Sequence, residues 1–287
     1  MKARRFGVEI EVQNITREKI AETVVAVLRA RGLETTLGTA NGYPVIGSPM
    51  GTWKVVPDGS IGFGGELVTP PLRYEHIEAL QEILRALKAA GAKVSQATGL
   101  HVHVDAAGLQ AADLGALVKM TYAKEDLLAA TLRIPQARRM RYCRELDNER
   151  MARIVKARTM TALKKAWYNE RDIRTADYRG AQKYDQTRYH GLNLHAVWFH
   201  GTVEFRVFNG TLHAGELKAN IQLALAMVQT ATEVHGFQTH RARVADLRHQ
   251  FRVFLWRTLG LGGEEFKTLR HHLSKNLPTG AQAPAAA

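Results

Sequence analysis

Apolar and polar residues alternate along four short segments of the chain: GVEIEV at residues 7–12, LHVHVD at 100–105, LNLHAVW at 192–198 and TVEFRVF at 202–208. A period of two is typical of β-strands that bury one face. TWKVVPDGS and GGELVTPPL predict further short strands interrupted by turns. The Gly, Thr and Pro content of residues 33–52 predicts a hairpin or a long loop.

Helical periodicity occupies most of the remaining chain. Thr16 is expected to cap a helix that Gly32 ends, and Gly91 closes an apolar stripe that begins near Tyr74. Other helices are predicted over about 111–177, 214–234 and 242–259. Strands grouped with helices to one side indicate an α+β fold with a largely antiparallel sheet.

Composition limits the class of protein. The 287 residues are 45% hydrophobic and 23% charged, which is ordinary for a globular chain. The single cysteine, Cys143, excludes an intrachain disulfide and a thiolate metal site. No apolar stretch is long enough for a signal peptide or a membrane span, so we expect a soluble, cytoplasmic protein without a membrane partner.

Positive charge is concentrated in one region. The formal net charge is +13, and residues 133–188 carry sixteen Lys or Arg against seven Asp or Glu, which gives +9 for this stretch alone. Such an excess favours anionic partners, namely nucleotide phosphates, acidic peptides or nucleic acid. A solvated helix surface explains the same charge equally well.

The polar faces of the strands have an unusual composition. Solvent-facing strand positions usually mix Lys, Thr and Ser, whereas these positions carry Glu9, Glu11, Glu66, His101, His103, Asp105, Asn193, His195, Glu204 and Arg206. Any one pair is more often exposed or hydrogen-bonded than metal-binding. If the four glutamates converge, neighbours about 5 Å apart repel by roughly 3 kcal/mol each. Divalent cations would relieve that repulsion, and an oxygen-rich set with imidazoles suits Mg²⁺ or Mn²⁺ better than zinc.

The motifs resemble a known family. FGVEIE, DGS with GELVTPP, TGLHVHVD, and RYHGLN followed by TVEFRVFNGT occur in the order seen in the amidoligases, a branch of the carboxylate–amine ligases related to glutamine synthetase and glutamate–cysteine ligase. The resemblance runs in pieces from Phe6 to about Leu212. It implies one glutamine synthetase-like catalytic domain over residues 1–277, with a basic helical insertion at about 106–187 and a disordered tail at 278–287. It also implies a curved sheet that holds ATP and Mg²⁺ or Mn²⁺ ions on its concave face, with helices on the other side.

The resemblance implies a role for each site residue. Glu9, His101 and Glu204 would share one metal ion, and Glu11 and Glu66 another. His103, Arg188 and Asn193 would contact the nucleotide phosphates or substrate, and Arg206 would face the transferred phosphoryl group. Glutamine synthetases place two metal glutamates between the first strand and the histidine motif, whereas only Glu66 is clear here, so Asp58 is a candidate for the missing ligand. Asp58 or Asp105 would take the proton from the amine.

The implied reaction is ATP-dependent amide or peptide bond formation through an acyl phosphate, with ADP and phosphate as products. Its substrates would be an amino acid, an amine or an acidic peptide, on a larger anionic acceptor in one version. Two alternatives stay open: a phosphotransferase on the same fold, like the guanidino kinases, and a nucleic-acid-associated protein that uses the basic helical region. The sequence lacks a GxxxxGK[ST] loop, and the glycines of IGFGGEL predict a turn.

Overall fold

The computed structural model describes residues 1–169, 173–241, 244 and 246–277. The strands of this part of the chain are β1 (Phe6–Gln13), β2 (Thr36–Ala40), β3 (Tyr43–Ser48), β4 (Gly51–Val56), β5 (Gly64–Val68), β6 (Gly99–Asp105), β7 (Leu192–Asn193) and β8 (Thr202–Asn209). The α-helices are α1 (Arg17–Ala30), α2 (Ile77–Ala89), α3 (Ala111–Thr131), α4 (Gln136–Arg141), α5 (Asn148–Lys156), α6 (Met160–Tyr168), α7 (Ile173–Ala181), α8 (His195–His200), α9 (Ala214–Glu233), α10 (Leu247–Val253) and α11 (Lys267–Ser274). The α+β class and the large, open, antiparallel sheet are therefore confirmed.

The chain forms two compact units. The first comprises residues 2–103 and 208–222, and the second comprises residues 104–207 and 223 onward together with Met1. Compact units of this kind can belong to one folding domain, so a single catalytic domain over residues 1–277 stays a prediction. The predicted tail, 278–287, lies outside the described residues.

In the first unit, the strands lie in the order β2-β3-β4-β5-β1-β6. The hairpin alternative for residues 33–52 is correct, since β2 and β3 pair antiparallel. Val8, Ile10 and Val12 of β1 are at most 1% exposed, so the alternation predicted the buried face correctly.

Helix α1 covers part of this sheet. Thr16 caps it, because the Thr16 side chain accepts a hydrogen bond from the Lys19 backbone N–H. Its buried residues recur at helical spacing, and the helix packs on β3, β4 and β5 and against α2. Burying each such aliphatic side chain contributes roughly 1.5–3 kcal/mol, which holds the helix on the sheet.

The second unit contains the helical region that the sequence predicted between residues 106 and 187, built as α3 to α7. Helix α3 is buried along most of its length and packs against α5, α6 and α10. No helix in the described part of the chain has both the length and the apolar composition needed to cross a bilayer.

One prediction of secondary structure was wrong. LNLHAVWF is not a continuous strand, because β7 ends at Asn193 and α8 begins at His195. The Asn193 side-chain oxygen accepts a hydrogen bond from the His195 N–H at 2.8 Å and so turns the chain into the helix. The start predicted for the next helix, about Ala242, lies outside the described residues; in the described part α10 begins at Leu247, where the Asp246 side chain caps it by accepting from the His249 N–H.

Candidate active site

Strand register places two glutamates opposite each other in the first unit. β1 and β5 pair antiparallel, and Glu11 is the direct partner of Glu66. Glu9 and Glu11 are two residues apart on β1 and therefore project from the same face. Three carboxylates from two adjacent strands thus occupy one side of the sheet.

Strand β6 brings two imidazoles to these carboxylates. The His101 ring lies between two glutamates, with Nδ1 3.0 Å from Glu9 Oε2 and Nε2 3.6 Å from Glu11 Oε1. His103 Nε2 lies 3.3 Å from Glu9 Oε1. The Gly99 backbone N–H, at the start of β6, donates to Glu11 Oε2 at 2.6 Å and fixes that carboxylate.

A turn before β5 adds a fourth carboxylate. Asp58 Oδ1 accepts from the N–H of Ser60 at 2.7 Å, so DGS forms the expected turn. Close approach of the two backbones holds the following loop against the end of β1, because a Cβ on Gly64 would lie 2.1 Å from the Val12 carbonyl oxygen. The Gln13 side-chain amide donates to the Ile61 carbonyl at 2.5 Å. The first contact requires glycine at position 64. Together the two contacts hold the segment that contains Asp58 next to the end of β1.

The side chains of this site form two overlapping groups, each of which could hold a metal ion. Glu9, Glu66 and His101 each offer one ligand atom within 4.8 Å of the others, and so do Glu11, Asp58 and Glu66. We call the whole set the carboxylate–imidazole cluster; it consists of Glu9, Glu11, Asp58, Glu66, His101 and His103. The structure brings Glu9 to His101 and Glu11 to Glu66, and it places Asp58 beside Glu11 and Glu66; that these side chains bind metal ions stays a prediction.

Electrostatics within the cluster favour a bound cation. Burial, and then repulsion from Glu9, Glu11 and Asp58, raises the pKa of Glu66 well above its usual value. Burial alone would also raise the pKa of Glu9, but the charge of His103 and hydrogen bonds with His101 and His103 hold it well below that value. A divalent cation would stabilise all of these carboxylates in their ionised form. The oxygen-rich donor set fits Mg²⁺ or Mn²⁺.

A second polar group lies in the second unit, at β7 and β8. The Asn193 side-chain amide donates to Glu204 Oε2 at 2.6 Å, and the Arg206 guanidinium donates to the other carboxylate oxygen of Glu204. Arg206 Nε also donates to the Tyr142 carbonyl at 3.0 Å. All three residues are at most 6% exposed. The structure therefore brings Asn193, Glu204 and Arg206 together.

Two tyrosines that the sequence reasoning missed lie next to Arg188 and Arg206. The Arg188 guanidinium lies 5.0 Å from the centre of the Tyr189 ring, and that of Arg206 lies 5.7 Å from the same ring. Arg188 also lies 5.5 Å from the ring of the exposed Tyr184. Tyr189 belongs to the RYHGLN motif, so a search of that motif for cation–π partners could have found it.

The remaining candidates differ in position. Asp105 is half-buried in the second unit, where its Oδ1 accepts from the Ala107 N–H at 2.9 Å. Of the two predicted proton acceptors, only Asp58 belongs to the carboxylate–imidazole cluster. That Glu204 and Arg206 converge with this cluster stays a prediction.

Part of the basic helical region is not surface. Arg138 is 2% exposed and donates to the Arg206 carbonyl at 3.0 Å, so it cannot belong to a nucleic-acid-binding face. Arg139 is paired with Glu145, whereas Arg141 is exposed. Cys143 is buried, and burial raises the pKa of its thiol, which argues against a nucleophilic role.

The chain matches the model of a known protein family. The family model described as "Putative amidoligase enzyme" matches residues 2–228, a range that contains every residue of both polar groups. A search of the curated proteins found no match for the chain.

Proposed function

The chain belongs to the amidoligase family, and from this premise we propose that it joins a carboxylate and an amine in an amide or peptide bond, coupled to conversion of ATP to ADP and phosphate. Family membership supports an amide-bond-forming ligase. The observation that carries the finer proposal is the convergence of four carboxylates and two imidazoles in one cluster.

The cluster has the ligand types that Mg²⁺ or Mn²⁺ requires. Glu9, Glu66 and His101 would hold one ion, and Glu11, Asp58 and Glu66 would hold a second. Such ions neutralise charge on nucleotide phosphates and on a transferred phosphoryl group. Burial and, after it, repulsion from the neighbouring carboxylates raise the pKa of Glu66; this supports the assignment, because positive charge in the cluster would relieve the repulsion.

The proposed reaction has two steps. An oxygen of the substrate carboxylate attacks the γ-phosphorus of ATP, the bond to the β,γ-bridging oxygen breaks, and an acyl phosphate and ADP form. The amine nitrogen then attacks the acyl carbon, the bond from that carbon to the phosphate oxygen breaks, and phosphate leaves. The amine gives up its proton to a nearby carboxylate, for which Asp58 is the better candidate because it lies in the cluster.

Arg206 would stabilise the moving phosphoryl group. Its guanidinium is held by the Glu204 carboxylate, the Tyr142 carbonyl and the Tyr189 ring, so little side-chain entropy remains to be lost when an anion binds. His103, Arg188 and Asn193 are proposed to contact phosphate or substrate. The position of Arg188 between two tyrosine rings suits such a contact.

The test is product analysis of the purified protein with ATP, Mg²⁺ and a mixture of amino acids and glutamyl peptides. We expect ADP, phosphate and a new amide by mass spectrometry. Glu9→Ala and Glu66→Ala should abolish activity, while Glu18→Ala, which removes an exposed glutamate of α1, should retain it.

Other products would point elsewhere. AMP and pyrophosphate would contradict an acyl phosphate route. A stable phosphorylated product without an amide would instead assign the phosphotransferase reaction. A role in nucleic-acid association stays a prediction.

A further inference from the structure

A cavity of about 390 Å³ lies in the second unit, within the basic helical region. Three arginines line it: Arg144 lies between α4 and α5, Arg150 in α5 and Arg179 in α7. His190 completes this basic wall. None of these four residues has a role in the proposed ligase reaction, so the cavity requires its own explanation.

Two of the arginines are held in place before any ligand binds. Arg150 Nε donates to the Trp167 carbonyl at 3.0 Å, and its guanidinium lies 5.3 Å from the centre of the Trp167 ring. Arg179 Nη1 donates to the Tyr168 carbonyl at 2.7 Å, and its guanidinium lies 5.1 Å from the Tyr168 ring. Side chains fixed in this way lose little conformational entropy on binding.

Arg144 carries the least compensated charge of the three. Arg150 Nη1 lies 3.3 Å from Asp147 Oδ2, and Arg179 Nε donates to Asp185 Oδ2 at 2.8 Å, so a carboxylate balances each of these charges. Arg144 Nη2 donates to the neutral Gln186 carbonyl at 2.6 Å. Its buried Nε has no hydrogen-bond partner within the described ranges. A buried charged donor without an acceptor is costly, and an oxyanion in the cavity would satisfy it.

His190 adds no charge of its own to this wall at neutral pH. Its Nδ1 faces the Glu145 carbonyl at 3.1 Å, and its Nε2 contacts Arg150 Nη1. Burial and the nearby Arg150 and Arg144 lower the pKa of His190 to about 4. At neutral pH the ring is therefore uncharged, donates from Nδ1 and accepts from Arg150.

We propose that this cavity binds a small ligand through an oxyanion, a phosphate or a carboxylate, with Arg144 as its principal contact and Arg150 and Arg179 as supporting charges. The volume lies in the range of small-molecule sites, roughly 300–1,000 Å³. Glu145 and Asp147 also line the cavity and disfavour an extended polyanion such as a nucleic acid. The inference is independent of the ligase reaction.

The test is isothermal titration calorimetry on the full-length protein with two probes, inorganic phosphate and succinate, at constant ionic strength. All solutions are freed of divalent metal with a chelating resin, so that the carboxylate–imidazole cluster does not contribute. We expect Arg144→Ala to weaken binding about tenfold or more, because a charge-assisted hydrogen bond contributes roughly 1.5–3 kcal/mol. Arg144→Lys keeps the charge but loses the planar pair of donors, so its affinity for the probe should lie between those of the wild type and Arg144→Ala.

The matched control is Arg141→Ala, which removes an equal charge from an exposed position three residues away. Retention of wild-type affinity in this control, with loss in Arg144→Ala, supports the site, and the tighter probe identifies phosphate or carboxylate as the ligand group. Equal losses in both variants, unchanged affinity in Arg144→Ala, or no binding of either probe to the wild type overturns the proposal. If Arg144→Ala does not fold, Arg144→Lys decides: unchanged affinity overturns the proposal, and weakened binding supports it.

Discussion

Glu11 and Glu66 face each other directly across the antiparallel pair of β1 and β5. Like charges at such positions destabilise a sheet. Glu66→Gln should therefore raise the melting temperature of the metal-free protein, by about 2–4 °C for each kcal/mol of repulsion relieved. Differential scanning fluorimetry with and without Mn²⁺ measures this effect.

The same variant should lose stabilisation by metal. A ligand that binds only the folded state raises its stability by mass action, so the wild type should gain more from Mn²⁺ than Glu66→Gln does. Glu18→Gln, on the exposed face of α1, serves as the control. A lower melting temperature for metal-free Glu66→Gln would show that the carboxylate is structurally required.

His101 contacts both Glu9 and Glu11, so its removal should affect the affinity for metal directly. We expect His101→Ala to weaken Mn²⁺ binding about tenfold or more, the range found for residues that hold or orient metal ligands. Electron paramagnetic resonance of free Mn²⁺, without nucleotide, measures the affinity. His240→Ala, which removes an exposed imidazole, should bind as the wild type does. Equal affinity in the two variants would remove His101 from the metal site.

Burial raises the pKa of Glu125 to about 8, although Arg241 lies 3.0 Å from its Oε2. The native state therefore holds a proton that the unfolded state releases above pH about 4.5. The stability that this proton contributes is present below pH 4.5 and is lost as the pH rises from there towards 8, with a slope of at most about 1.4 kcal/mol per pH unit.

Glu125→Gln cannot ionise, so its stability relative to the wild type should increase from pH 5 to pH 8. Urea unfolding across that range gives the free energies. Asp126→Asn removes a more exposed carboxylate that also lies near Arg241, at 3.7 Å, and should not show this trend. Parallel pH profiles for Glu125→Gln and the wild type would contradict a protonated Glu125.

Asn193 has two separable contacts: its oxygen accepts from the His195 N–H at the start of α8, and its nitrogen donates to Glu204. Asn193→Asp keeps the accepting oxygen but places a second carboxylate beside Glu204. We expect it to lower kcat about tenfold or more if this pair supports Arg206 in the reaction. ADP release measures kcat.

Asn193→Ala loses both contacts, so it should unfold at a lower temperature in addition, since loss of a hydrogen bond costs about 1 kcal/mol. Thr159→Ala, which removes a side-chain hydrogen bond to the start of α6, is the control for such a loss away from Glu204. Full activity in Asn193→Asp would separate the Asn193–Glu204 contact from catalysis.

Much of the first unit could be predicted from the chain. The alternation in β1 assigned Val8, Ile10 and Val12 to the buried face and Glu9 and Glu11 to the other. Motif order supplied the family, and the DGS turn brought Asp58 into consideration. These features are local, since a period of two or a turn signal is contained within a few residues.

The second unit shows where local patterns fail. LNLHAVWF alternates like a strand, yet the Asn193 side chain bonds to the His195 N–H and starts a helix. Arginine is usually exposed, yet Arg138 is buried and its guanidinium donates a hydrogen bond to the Arg206 carbonyl. The first outcome rests on a local hydrogen bond that competes with the alternating pattern, whereas the burial of Arg138 depends on a partner 68 positions away, which no short window of the sequence contains.

The sequence by itself determined which side chains share a face of each strand, because that follows from the pleat of the backbone. Only the tertiary structure decided that Glu11 is opposite Glu66, that His101 lies between Glu9 and Glu11, and that Arg144 lines a cavity. Strand register and helix packing bring together residues far apart in the chain, such as Glu9 and His101, which are 92 positions apart. They are selected by burial of the whole apolar face, a property of the assembled chain and of no single segment.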